Sequence, residues 1–444
     1  MDESSFRIAK PRTAMLVAYK ALADLAGKGS LFVITIAAAR RLSPESFGIF
    51  SIGSTLGWLV AVATDFGIQM HLAREVARRP QDAAGLLRHW LRIRLWVSAA
   101  AIVIVGAGAL APAWRGAYGA PIAVFAVVYA GSGLIEFLHY FYRGLSRSDL
   151  ESSLTLWQRG GTLVCGLLAL AWTPDVTMLG AAMLLPVVAT LAVSLRLAWR
   201  LARSSSSVVG RVLSDPATAA GPKDPPYFLR DVFPIGAGIL LSALYFRIDV
   251  FLVQFWSGPE AVALYNAVFR LVEALRLFPA AVLAVTLPAL CRARDVRAVA
   301  QVSASTTAFA IGVTGVLWIA GDWLIPFLYG APYRAAVPAF RVLLLSFPLL
   351  SLNYALTTQL IAWDGQRMYA VLCGLALVVN VALNARLIPM WSIEGAAWAT
   401  LGTEAFLTLG CVVGIRVLGA GYRVLGAVQG AEVQGAVRSA EVRL

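Results

Sequence analysis

The chemistry available to this chain lies in charged residues that interrupt long apolar runs. Lys20, Asp24 and Lys28 interrupt the first run, and Asp65, Glu136, Arg247, Asp249, Arg270, Glu273, Arg276 and Glu404 interrupt later ones. A charge in the middle of a hydrocarbon layer costs about 2.5–3.5 kcal/mol on insertion scales, so each needs a partner, a watery cavity or a function. Lys20, Asp24 and Lys28 are spaced four apart and form one stripe on a helix, where Asp24 can neutralise one lysine. Arg270, Glu273 and Arg276 are spaced three apart and cover about a third of a helix circumference. Each triad keeps a net positive charge. Arg247 and Asp249 stand about 200° apart on one helix, so each must face something other than the other.

These cations belong to the first, seventh and eighth apolar runs. If those runs wall one cleft, its positive walls in low-dielectric surroundings attract an anion, and pyrophosphate is a strong candidate ligand. Lys28, Arg247 and Arg270, nearest mid-run, are the expected diphosphate holders. Lys20 and Arg276 are secondary, because Lys20 can snorkel to the run's end and Glu273 can satisfy Arg276. Asp24, Asp249 and Glu273 are expected to tune that field or to bind a coupling H⁺ or Na⁺. Asp65 and Glu136 are further candidates for ion coupling, while Asp65 and Glu404 serve equally well as hydrogen bonds between helices. Glu136 and His139, three apart on one face, form either a proton-relay pair or a satisfied polar contact.

The elements that must position these residues follow from composition. Of 444 residues, 59% are hydrophobic and 14% charged, against about 25% charged in soluble domains. The runs approach the roughly 20 residues that cross about 30 Å of hydrocarbon as helix. The ten-residue alternation of a barrel strand is missing. Spans are predicted at 16–39, 46–70, 91–112, 120–142, 155–173, 176–199, 228–256, 260–290, 299–328, 335–362, 368–388 and 393–418. The expected fold is an all-α polytopic membrane protein of about 12 transmembrane helices in two six-helix lobes. The first lobe takes residues 1–200 and the second 228–418, with a cytoplasmic tail over 419–444. Between the lobes, residues 201–227 read as a mobile linker, with Ser204–Ser207, Pro216, Pro222, Pro225 and Pro226. Lysine and arginine concentrate in the N-terminal segment and every second loop, whereas the opposite ends carry Arg40, Arg41, Arg115, Arg334, Arg341 and Arg386. That bias predicts both termini in the cytoplasm. Ser43-Pro44-Glu45 with Phe50 parallels Gly258-Pro259-Glu260 with Tyr265 at the same place in each half. A parallel repeat of this kind puts a ligand site between the lobes.

Several other functions are disfavoured. A net charge of +13 invites nucleic acid, but no basic face with interleaved aromatics is visible, so no nucleic-acid partner is expected. Cys165, Cys291, Cys373 and Cys411 are scattered singly, and only three histidines are present, so no metal site is expected. Gly27-Lys28-Gly29-Ser30 lacks the spacing of a phosphate loop. Gly106-Ala107-Gly108 suits close helix packing. With no nucleophile–base constellation, the chain is not expected to be an enzyme or to carry a cofactor. The first apolar run, broken by Lys20, Asp24 and Lys28, makes a poor signal peptide and is expected to remain as the first span.

Three stretches carry a family resemblance. RRLSPESFGIF, followed by an apolar span closing with ATDFGIQMHLAREVARR, resembles the opening of the polysaccharide-transporter family, the Wzx-type O-antigen and exopolysaccharide flippases of the MOP superfamily. Asn380-Val381-Ala382-Leu383-Asn384, Ile388-Pro389, Glu394 to Thr400 and Glu404 form a second match, and FLYGAPYRAAVPAFRVLLLS a third. The resemblance implies a V-shaped, MATE-like pair of lobes in a bacterial inner membrane. It implies flipping of an undecaprenyl-diphosphate-linked oligosaccharide, an O-antigen or exopolysaccharide repeat unit, by alternating access. Membrane lipid and glycan polymerase or assembly proteins are the implied partners. The alternatives within the superfamily are an ion-coupled exporter of small organic compounds and a lipid II-type flippase. Lipid II flippases usually have two additional C-terminal spans, and drug exporters favour acidic cavities, so both fit less well.

Overall fold

Runs of leucine, alanine and valine fold here as helices because only a helix or a closed barrel pairs every backbone N–H and C=O within hydrocarbon. A computed structural model describes residues 11–111, 116, 118–209, 233–282, 286, 296–363 and 365–441. Its long elements are α1 (Pro11–Arg41), α2 (Pro44–Asp65), α3 (Ile68–Arg78), α4 (Ala83–Ala109), α5 (Gly119–Gly144), α6 (Ser148–Trp172) and α7 (Val176–Val209). They continue with α8 (Phe233–Leu275), α9 (Val296–Tyr329), α10 (Val337–Ala362) and α11 (Gln366–Glu441).

Among the described residues, nine helices are long and apolar enough to cross a membrane. Two of them reverse direction. Arg247 reaches Glu273 at 2.5 Å, yet 26 residues of straight helix would separate them by about 39 Å. Asn380 likewise bonds Thr403 at 3.2 Å. The turns fall at Gly258, with φ 82° and ψ 179°, and at Ser392, with φ 47°. Each of α8 and α11 therefore supplies two arms, and α1 is a further helix of 31 residues. The chain is a multi-pass, all-helical membrane protein.

The Ser-Pro-Glu and Gly-Pro-Glu segments turn out to be helix starts. Ser43 Oγ accepts from the Ser46 backbone N–H at 3.2 Å, Pro44 occupies the first turn, and Glu45 faces the positive helix end. Gly258 takes a backbone region open essentially to glycine alone and hands Pro259 and Glu260 to the second arm of α8. The two starts meet across the lobes: a Cβ on Gly48 would lie 2.0 Å from the Pro259 carbonyl oxygen. Around them one core cluster runs through both lobes, including Phe47, Phe50, Val262, Tyr265 and Phe340.

Two sequence expectations need correction. The second span was extended to residue 70, but α2 stops at Asp65, and Phe66 (φ 43°) and Gly67 (φ 80°) turn the chain into the separate α3. Ile68, Leu72 and Val76 on one face of α3 pack onto α4 and α5, making it a surface helix. The linker is expected from residue 201, but α7 stays helical to Val209, with no glycine or proline between Arg200 and Gly210 to stop it. The rest of that linker, residues 210–232, lies outside the described residues. Arg94, near the start of the predicted span 91–112, is 1% exposed inside the bundle and donates to the Ala61 carbonyl at 3.2 Å.

Candidate functional site

A cavity of about 430 Å³ lies between the lobes. α1 supplies Lys28, Leu31, Phe32 and Thr35, and α2 supplies Trp58 and Val62. The opposite wall comes from Tyr245 and Phe246 on the first arm of α8 and from Arg270 and Glu273 on the second. Arg276 in the turn after α8, Tyr354 of α10 and Tyr369 of α11 complete it. These positions cluster toward one end of the bundle, where α2 and α10 end and α8 and α11 begin. At the opposite end the lobes are joined. There Arg40 donates to the Leu328 carbonyl at 2.8 Å and to that of Phe327, and Phe47 meets Tyr333 edge-on at 6.0 Å.

Three of the predicted diphosphate residues therefore share one chamber: Lys28, Arg270 and Arg276. Lys28 is exposed to it and makes no ion pair among the described residues. Arg276 is not satisfied by Glu273. Its guanidinium instead lies 4.0 Å from the Phe246 ring and 5.2 Å from that of Tyr354. Cation–π contact of this kind holds the head group while leaving its donors free. Arg247 sits behind the wall, 2% exposed, over the Phe269 ring at 4.7 Å and bonded to Glu273. Glu273 also takes Arg270 at 3.0 Å. The side chains of Lys20 and Asp24 lie outside the described residues.

The remaining carboxylates sit elsewhere. Asp249 is buried between the arms of α8, accepting from the Tyr265 hydroxyl and from the Val250 backbone N–H at 2.8 Å. As the geometry of one helix requires, it does not meet Arg247. Glu404 accepts from Asn353 at 2.7 Å and ties α11 to α10. Asp65 accepts from the Gly67 and Gln69 backbone N–H groups at 3.2 and 3.3 Å, capping α3, with Arg94 3.9 Å away. Glu136 is exposed on α5 and does not line the cavity. His139 is buried beside Tyr142, ring centres 6.3 Å apart.

Sequence reasoning missed the aromatic lining. Trp58, Phe246, Tyr354 and Tyr369 are ordinary apolar residues by composition, and no spacing marks them as cavity walls. It also missed Arg94, for which a signal existed. Leu87, Leu91, Arg94 and Ser98 recur at helical spacing on the one buried face of α4.

A family profile described as polysaccharide biosynthesis protein matches residues 16–294, more than half of the chain. The chain belongs to that family. No curated protein matches it. Among solved structures, it is similar to a lipid II flippase, MurJ, in an inward closed conformation, with TM-score 0.66 and 13% identity over 90% of this chain and 87% of that one. An inward-facing multidrug resistance MATE transporter of the MOP superfamily gives TM-score 0.62 and 16% identity over 90% and 95%. A MOP superfamily transporter from Pyrococcus furiosus, described as having a binding pocket of reverse polarity, gives 0.61 and 15% over 93% and 96%. At these identities the likeness shows the fold alone.

Proposed function

We propose that this chain is a flippase for a lipid-diphosphate-linked oligosaccharide in a bacterial inner membrane, working by alternating access. The observation that carries the reading is the shared chamber in which Lys28 of one lobe faces Arg270 and Arg276 of the other. Guanidinium and ammonium groups grip phosphate oxygens through charge-assisted hydrogen bonds, and the low-dielectric walls strengthen them. The aromatic walls offer flat faces against which sugar rings pack, as apolar and polar surfaces do in small-molecule pockets generally. Because Lys28 belongs to one lobe and the arginines to the other, a bound diphosphate would draw the lobes together. Membership of a polysaccharide biosynthesis family supports a glycan substrate, whether an O-antigen or an exopolysaccharide repeat unit. Glycan polymerase and assembly proteins are the partners such a step would feed. A coupling H⁺ or Na⁺ belongs to the proposal, with buried Asp249 the carboxylate we assign to it. A rate indifferent to both ion gradients would remove that part. An exporter of cationic drugs fits poorly, since one carboxylate faces several cations in the cavity.

The test is a glycan-display assay in a deletion strain, with protein abundance measured alongside. Lys28→Ala and Arg276→Ala each remove one charge-assisted contact, of about 1.5–3 kcal/mol. Each should therefore lower display by about tenfold or more at normal abundance. Wild-type display from both variants would refute the phosphate-gripping role.

A further inference from the structure

We infer that Glu273 is an exchangeable internal counterion: it neutralises Arg247 and Arg270 while the cavity is empty and yields Arg270 to the incoming phosphate. The inference rests on the flippase reading and adds to it how the cavity is regulated. A single oxygen, Glu273 Oε2, accepts from both Arg247 Nη2 at 2.5 Å and Arg270 Nη1 at 3.0 Å. The other oxygen has no hydrogen-bond donor among the described residues, so the carboxylate can rotate and keep one arginine while releasing the other.

Exposure decides which is released. The Arg247 side chain is 3% exposed and lies 4.7 Å from the Phe269 ring and 5.4 Å from that of Phe246. The side chains of Arg270 and Glu273 are 15% and 33% exposed, toward the cavity. Arg247 is thus a positioning residue that holds the carboxylate, and Arg270 is the phosphate ligand. Arg270 Nε, Arg276 Nε and Arg247 Nη1 are buried without a hydrogen-bond acceptor, so the cluster's donors are not all satisfied by Glu273.

The arrangement answers a problem that any alternating carrier with a cationic chamber meets. Enclosing uncompensated charges costs several kcal/mol per ion, so an empty chamber of bare cations resists closure. Glu273 lowers that cost when no substrate is bound, which permits the empty carrier to return. A diphosphate with several strong acceptors competes successfully for Arg270, and the loaded chamber closes as well.

The test uses the full chain in lipid nanodiscs, with inorganic pyrophosphate as probe and titration calorimetry as readout. Glu273→Gln should bind pyrophosphate about tenfold more tightly than wild type, because the internal competitor is gone. Glu273→Asp keeps the charge but retracts it by one methylene, and should fall between the two. In proteoliposomes with a short-chain polyprenyl-diphosphate monosaccharide, Glu273→Gln should retain exchange of labelled for unlabelled substrate and lose net flipping. Binding no tighter than wild type, or undiminished net flipping, overturns the counterion role. If Glu273→Gln does not accumulate, Glu273→Asp decides the matter, and affinity equal to wild type overturns it. Pyrophosphate binding that weakens in Arg276→Ala but ignores Glu273 sinks only this inference. No binding by wild type or by any Glu273 variant sinks the phosphate-gripping reading as well.

Discussion

Buried charge is tolerated at single residues here only where a specific partner is supplied. Asp249 is 1% exposed and takes the Tyr265 hydroxyl, which also lies 3.2 Å from Thr400 on the second arm of α11. Removing that hydroxyl leaves a buried carboxylate short of one strong donor. Tyr265→Phe should therefore destabilise the protein by about 1.5–3 kcal/mol, read as a lowered Tm in detergent at unchanged fold. An unchanged Tm would show that Asp249 is not ionised in the resting protein. How legible such partners were in the sequence depended on distance along the chain. The triad of Arg270, Glu273 and Arg276 was visible from spacing alone, as was the incompatibility of Arg247 and Asp249. The reversal at Gly258 falls between the predicted spans 228–256 and 260–290, but spacing does not reveal that Arg247 meets Glu273 across it, 26 residues away. Arg276 was misjudged because a helical neighbour looked like its natural partner, whereas two aromatic rings brought by other segments hold it.

At the level of elements, the far end of the cavity is shut by backbone contact. Gly48 near the start of α2 faces the Pro259 carbonyl so closely that a Cβ would sit at 2.0 Å, a distance no relaxed contact permits. Only the missing side chain lets α2 and the second arm of α8 close here. Gly48→Leu should wedge them apart and shift the protein toward a form opened at that end. Spin labels at Arg41 and Arg334, one per lobe, would report longer distances than in the parent. Distances identical to the parent at normal abundance would show that this contact is not a gate. The start of each helix was legible in the Ser-Pro-Glu and Gly-Pro-Glu segments. Their meeting was not, since a short repeat carries no information on which surfaces touch. The break after Asp65 was also hidden. An apolar run continued through Phe66 and Gly67, and it took the carboxylate's capping of α3 to end one helix and begin another.

For the whole molecule, the arginines make a charged rim around one end of the first lobe. Arg88 and Arg92 of α4 and Arg196, Arg200 and Arg203 of α7 are exposed and make no ion pair among the described residues. On both helices they adjoin an exposed apolar band, preceding Leu95 and Trp96 on α4 and following Val188 and Val193 on α7. A stripe of apolar side chains giving way to arginine marks the boundary between hydrocarbon and headgroups. Near an anionic surface each such charge is worth about 1 kcal/mol. Because lysine and arginine near span ends set orientation while acidic residues contribute little, these five arginines predict that this end faces the cytoplasm. In a cysteine-free background, Ser204→Cys at this end should react with an impermeant thiol reagent only after the cells are opened. Asp322→Cys at the opposite end should react in intact cells. Replacing the five arginines by glutamine should then expose Ser204→Cys in a fraction of the molecules, as orientation becomes mixed. Labelling of Ser204→Cys in intact cells before any arginine is replaced would place the cavity's open end outside, and the direction of glycan movement would have to be reversed with it.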